Sequence, residues 1–183
     1  MVMTDREGLK KQIMESAGRV IYTYTAHWKM VDRLKKRFMC IKIIQIILTA
    51  VSTVGFLSAI ITNLVALSWV SSFTAAISLG LNLYMLNFNL NEEIRQHTDA
   101  ANELWDIREA YQSLIVDFDT LPEEEIRKKR DKLSAMVSRV NRLNHGTDKK
   151  SYCEAKKALK NEAEQSFDEG EVERLMVSCT QKK

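Results

Sequence analysis

The sequence has a single proline, Pro122, and six glycines among 183 residues. Breakers this sparse favour long helices. No stretch alternates apolar and polar residues between turn signals as a half-buried strand does. The cysteines are three, an odd number, and Cys40, Cys153 and Cys179 lie far apart. That spacing suits neither a disulfide framework nor a metal site, so they read as reduced thiols. The formal net charge of +3 is too small to imply a nucleic-acid partner, and none is expected.

Charge is missing altogether from one block. Residues 43–91 contain no Asp, Glu, Lys, Arg or His, so all 27 basic and 24 acidic residues lie outside it. Such a division marks a membrane segment flanked by water-facing segments. The block is long enough for two spans, at residues 43–62 and 69–88. Twenty helical residues cover about 30 Å, the hydrocarbon thickness. The connection Asn63-Leu-Val-Ala-Leu-Ser68 is short and apolar, which makes the spans antiparallel neighbours, and Trp69 falls where an interfacial aromatic belongs. The N-terminal region lacks the early apolar core and small-residue cleavage site of a signal peptide.

Before the first span come Lys29, Arg33, Lys35, Lys36, Arg37 and Lys42, opposed there only by Asp32. The positive-inside rule puts this flank in the cytoplasm, and two spans return the chain to the same side. Both termini are therefore expected in the cytoplasm. The second flank is not basic, since Glu92 and Glu93 come first, so the orientation rests on the first.

Outside the block the chain reads as helices. Residues 4–38 carry a seam of Ile13, Val20 and His27 interleaved with Ala17, Tyr24, Val31 and Phe38, with a break expected near Gly18. With no Gly or Pro between Leu81 and Leu121, the second span is expected to run straight into a cytoplasmic helix. There Leu90, His97, Leu104, Tyr111 and Phe118 repeat every seven residues, with Ile94, Ala101, Arg108 and Ile115 as the companion row. This is a heptad pattern, interrupted by His97 and Arg108, that packs on the first helix, on its own copies or on both. Thr120-Leu-Pro-Glu123 has the form of a capping box and starts a further helix, with Ile126, Leu133, Val137 and Val140 on one face and Asn144-His-Gly146 ending it. The tail, residues 147–183, is charged. Tyr152, Leu159 and Phe167 are the apolar residues with which one peripheral helix would dock, and disorder of part of it is the alternative.

The expected architecture is an all-α membrane protein: an N-terminal amphipathic helix (1–42), a transmembrane hairpin (43–88), a cytoplasmic helical bundle or coiled-coil extension (89–146) and the charged tail. Nothing resembles a phosphate loop, a Ser/His/Asp set or paired metal ligands, and Glu103, Asp106 and Glu109 read as a solvated helix face. No catalytic, cofactor-binding or metal-binding residue is expected, and no cofactor.

Polarity inside the spans is the informative feature. The second carries Ser71, Ser72, Thr74, Ser78 and Asn82, then Asn87, Asn89 and Asn91; the first carries Thr49, Ser52, Thr53 and Ser58. A polar group facing lipid is costly unless paired. Two readings stand side by side. Ser72, Ala76 and Gly80 form a small-residue ridge that would pack against Gly55 and Ala59. Alternatively Ser71, Ser78 and Asn82, on one face with Ala75, line an aqueous path in an oligomer, with Asn87 and Asn89 at its exit.

The segments Tyr24-Thr-Ala-His-Trp28, Leu48-Thr-Ala-Val-Ser-Thr-Val-Gly55, Leu81-Asn-Leu-Tyr-Met-Leu-Asn-Phe-Asn-Leu90 and His97-Thr-Asp-Ala-Ala-Asn-Glu-Leu-Trp-Asp-Ile-Arg-Glu-Ala-Tyr111 together resemble the SLATT family, over roughly residues 18–119. The resemblance implies a two-span effector of bacterial antiphage or conflict systems, thought to damage the inner membrane through oligomeric pores. Its implied partners are a nucleotidyltransferase, a nucleotide sensor or a reverse transcriptase. His97, Leu104, Arg108 and Tyr111 become candidate assembly and gating residues. Lys35, Lys36, Arg37 and Lys42 form the basic membrane flank. A non-conducting scaffold that recruits a cytosolic enzyme is the alternative reading.

Overall fold

The computed structural model describes residues 5–171, and among these all regular structure is helical. Helix α1 spans Asp5–Thr62, α2 Val65–Phe88 and α3 Leu90–Val116; a 3-10 turn covers Asp117–Asp119; α4 spans Glu123–Leu143 and α5 Lys149–Asn161. The N-terminal helix and the first span are one uninterrupted helix of 58 residues. No break occurs at Gly18. One glycine costs a helix about 1 kcal/mol, and Ala17 and Val20 on either side are buried.

The chain forms two compact units. The first comprises α1 up to Lys29 and the chain from Ala101 onward. Here α1 and α3 run antiparallel. The Arg6 guanidinium donates to the carbonyls of Phe118 (2.9 Å) and Leu121 (3.2 Å), Ser16 bonds the Tyr111 hydroxyl, and the Tyr24 ring lies 5.4 Å from that of Trp105. Arg6 thereby satisfies carbonyls left open where α3 ends. The seven-residue rows are buried: Ile13, Val20 and His27 on α1, and Leu104 and Tyr111 on α3, continued by Phe118 in the 3-10 turn. Burying side chains of this size stabilises by about 1.5–3 kcal/mol each. The α3 row is thus buried within one chain and is not held open for another copy.

Helix α4 starts differently from the expected capping box. Its N-cap is Pro122, and the Thr120 hydroxyl donates to the Asp117 carbonyl (2.8 Å), closing the preceding 3-10 turn. Ile126, Leu133 and Val140 are the buried seam of α4, and Val137, expected on the same face, is half-buried. In α5, Asp148 is the N-cap and accepts from the Ser151 amide at 2.7 Å. The helix docks through small residues, Ser151, Ala155 and Ala158, whereas Tyr152 and Phe167 are exposed. Small side chains let a helix backbone approach its neighbour closely; Leu159 is half-buried, and the Tyr152 ring reaches Tyr22 of α1 from the rim of the contact. Beyond α5, the Lys29–Glu164 ion pair (2.8 Å) and the Gln165 amide donating to Thr25 (2.9 Å) tie the chain back to α1. Cys179 and the rest of residues 172–183 lie outside the described residues.

The second unit is Met30–Ala100. Helices α1 and α2 are joined by Asn63 and Leu64 alone, so α2 begins at Val65, four residues before Trp69. Asn63 takes a left-handed conformation, φ 55°, which asparagine tolerates better than most side chains. A second left-handed asparagine, Asn89 (φ 29°), separates α2 from α3. The second span is therefore not continuous with the helix that follows, although neither Gly nor Pro intervenes. The Asn89 carbonyl accepts from Glu92 (2.9 Å) and Glu93 (3.3 Å), opening α3. Those two carboxylates occupy its first turn, where the helix dipole favours negative charge.

Candidate functional site in the transmembrane hairpin

The apolar stretches of α1 and α2 are each only 6 % buried within the chain. A helix in a soluble core is mostly buried, so this surface requires an apolar solvent. Ile46, Val54, Ile61, Phe73, Leu79 and Leu86 are among the large side chains it exposes.

What the hairpin buries is small and polar. Ser71 and Ser78, with Ala59, are its buried residues within the spans. The hydroxyls of Ser78 and Thr49 lie 3.1 Å apart. The Ser52 hydroxyl donates to the Ser71 carbonyl (2.9 Å), and the Ser71 hydroxyl donates to the Leu67 carbonyl (2.8 Å). Thr74 donates to the carbonyls of Val70 (3.1 Å) and Ser71 (3.0 Å). Every one of these hydroxyls has a partner, which a hydrocarbon medium demands. Gly55 faces Ser71 so closely that a Cβ there would overlap the serine hydroxyl. The packing face of α2 is therefore that of Ser71, Thr74 and Ser78. The ridge of Ser72, Ala76 and Gly80 is exposed, and Gly80 meets nothing within 4 Å.

Asn82 has a different environment. It shares the arc of Ser71 and Ser78 on the helix but is exposed, and its amide has no hydrogen-bond partner among the described residues. Asn87 is exposed and donates to the Leu83 carbonyl (2.8 Å). Asn89 serves the backbone at the helix break. Along the flank of the α1–α2 seam runs a shallow groove of about 430 Å³, lined by Ser52, Thr53, Phe56 and Leu57 of α1 and Ser71, Ser72 and Ala75 of α2.

At the basic end of the hairpin, Lys35, Lys36, Arg37 and Lys42 are all exposed. Arg37 donates to the Tyr84 hydroxyl, and its guanidinium lies 5.6 Å from the centre of that ring. Tyr84 in turn packs on Phe88 at 4.5 Å, and the Lys42 ammonium lies 4.9 Å from the Phe38 ring. Cations and aromatic rings thus share one level, as they do at a membrane–water interface. Tyr84 was not singled out by the sequence reading; an amphipathic aromatic near the end of a span was the available signal.

The four candidate assembly residues are not brought together on an open surface. His97, Leu104 and Tyr111 are buried, and the Arg108 side chain is 15 % exposed. The Arg108 guanidinium covers the Trp105 ring at 4.5 Å and reaches Glu109 at 3.4 Å, while its Nε has no partner. Burial pushes the Tyr111 phenol above its ordinary range, partly offset by nearby Arg19 and the bond to Ser16. Glu92, bonded by Arg95 and Gln96, is held below the usual carboxylate range. Among the described residues, no group of three or more His, Cys, Asp or Glu is placed to hold a metal ion.

Two long apolar helices, joined by a two-residue turn and sealed by paired hydroxyls, define an all-helical two-span membrane domain. The chain belongs to the SLATT family: the family model for the SMODS and SLOG-associating 2TM effector domain, family 4, matches residues 9–171. The family is a two-transmembrane effector domain of conflict systems. No curated protein matches the chain, and no solved structure does.

Proposed function

We propose that this chain is the membrane effector of a bacterial antiphage system. In this reading, copies assemble through their spans in the inner membrane, and a partner's signal opens a polar path that collapses the membrane potential. The chain acts by permeation and not by catalysis. The observation that carries the reading is Asn82, an exposed amide on a membrane span with no hydrogen-bond partner among the described residues. Such a group in hydrocarbon is costly until another helix or water satisfies it. A two-helix monomer encloses no path, so both remedies call for further copies. The groove beside the seam, floored by small side chains, is the kind of surface on which a helix of another copy packs.

The cations of the first flank favour a cytoplasmic location for both flanks. The trigger is then a cytoplasmic partner: a nucleotidyltransferase, a nucleotide sensor or a reverse transcriptase. The test is membrane potential in cells expressing the chain with its neighbouring genes, before and after triggering. Wild type should depolarise the cell, and Asn82→Leu should abolish this at equal abundance in the membrane. A potential that survives triggering of wild type would contradict the reading. Depolarisation unchanged by Asn82→Leu would contradict the role of that residue. Protection that persists without depolarisation would favour a scaffold that recruits a cytosolic enzyme.

A further inference from the structure

The net charge of +3 conceals a strong segregation. Residues 127–160 carry twelve Lys or Arg against three acids, Asp131, Asp148 and Glu154, a surplus of nine. Residues 101–126 carry eight acids against Arg108 alone. A small total therefore says little about local partners.

The helices of the first unit arrange the basic surplus into stripes. On α4, Lys128, Lys132, Arg139 and Arg142 fall within about 80° of arc at 3.6 residues per turn. They lie opposite the buried seam of Ile126, Leu133 and Val140. On α5, Lys149, Lys156 and Lys160 fall within about 40°, opposite the buried Ser151, Ala155 and Ala158. Arg139 is engaged by Glu103 at 3.3 Å. The other six are exposed and have no carboxylate partner among the described residues.

An aromatic platform adjoins the second stripe. Tyr152 is 52 % exposed and stands three residues after Lys149 and four before Lys156, adjacent to both on the helix surface. Its ring stacks on Tyr22, with centroids 6.0 Å apart and planes at 29°. The pair holds one ring in place and leaves much of it open.

From this arrangement we propose that the outward basic stripes of α4 and α5 bind single-stranded nucleic acid, their lysines taking the phosphates and Tyr152 stacking on a base. Cations along a surface beside an exposed, held aromatic ring are the elements of single-strand binding. A duplex hides the faces of its bases and has no use for the ring. A membrane-surface helix combines cations with an apolar face that enters the bilayer; in α4 and α5 that face is spent on the core.

The test uses the full chain in nanodiscs of phosphatidylcholine, which carries no net charge, and follows the anisotropy of fluorescein-labelled oligo-dT, oligo-U and a duplex. Single strands should bind, and their affinity should fall about fiftyfold between about 50 and 200 mM salt if roughly four phosphates are neutralised. The preferred strand, dT or U, identifies DNA or RNA as the source. K132E/K149E/K156E should lower affinity at least about tenfold. Y152A should lower it about fivefold or more with an unchanged salt dependence. Circular dichroism checks folding of each variant; should the charge-reversed one fail, Y152A alone decides. No binding at low salt, equal affinity of wild type and folded variants, or tighter binding of the duplex would overturn the proposal. Binding to phosphatidylglycerol vesicles without binding to oligonucleotides would overturn it in favour of a membrane surface.

Discussion

Gly55 of α1 lies directly against Ser71 of α2, with no room for a Cβ between the glycine and the serine hydroxyl. The contact lets the two backbones approach, and the hydroxyl turned aside to Leu67 stays satisfied. Close approach of this kind is how spans associate in lipid, where water supplies no hydrophobic drive between them.

A double-mutant cycle follows from that contact. Gly55→Ala should destabilise the hairpin by about 1–3 kcal/mol through overpacking, despite the better helix propensity of alanine. The Ser71 Cβ is 3.7 Å from the added methyl, an ordinary contact, so Ser71→Ala should rescue Gly55→Ala. Thermal unfolding of the four proteins in detergent measures the coupling. Additive costs would show that the two residues do not meet.

Asn89 interrupts the path from α2 to α3 in a left-handed conformation. Asn89→Gly should be tolerated, because glycine adopts that conformation without steric cost. Asn89→Val should lower stability by about 1–2 kcal/mol. Equal thermal midpoints for the two variants would contradict the break.

The raised phenol of Tyr111 makes a pH prediction. Its folded value lies above the unfolded value of about 10, so the folded state holds the proton more tightly. The stabilisation is complete below pH ~10 and is lost as pH rises through the folded value. Stability of wild type should therefore fall more steeply above pH ~10 than that of Tyr111→Phe, which has no proton to lose. Parallel decline of the two curves, read from unfolding midpoints, would contradict this environment for Tyr111.

Much of this was legible in the residues themselves. The uncharged block declared the spans, and the seven-residue rows through Ile13 and Leu104 declared the buried faces, because core and lipid both select on hydrophobicity and period. Small polar residues were harder to place. Ser71 and Ser72 are adjacent and chemically identical, yet one is buried and the other exposed; only the rotation of α2 against α1 decides between them. The break at Asn89 lacked a glycine or proline to announce it, and a run of alternate asparagines was its sole mark. Of the apolar residues expected to dock α5, Tyr152 meets Tyr22 of α1, Leu159 is half-buried and Phe167 is exposed, because size alone does not mark burial. The residues that α5 buries are instead the small ones, Ser151, Ala155 and Ala158.

The central claim is that Asn82 meets water in an assembly of spans, and thiol accessibility tests it most directly. With Cys40, Cys153 and Cys179 replaced by serine, Asn82→Cys and Leu79→Cys are introduced singly and exposed to a membrane-impermeant thiol reagent in triggered cells. A thiol reacts as its thiolate, which forms in water and not in hydrocarbon. The account predicts modification of position 82 on triggering and none at the lipid-facing position 79. A cysteine at position 82 that stays unreactive under conditions that depolarise the cell would contradict it.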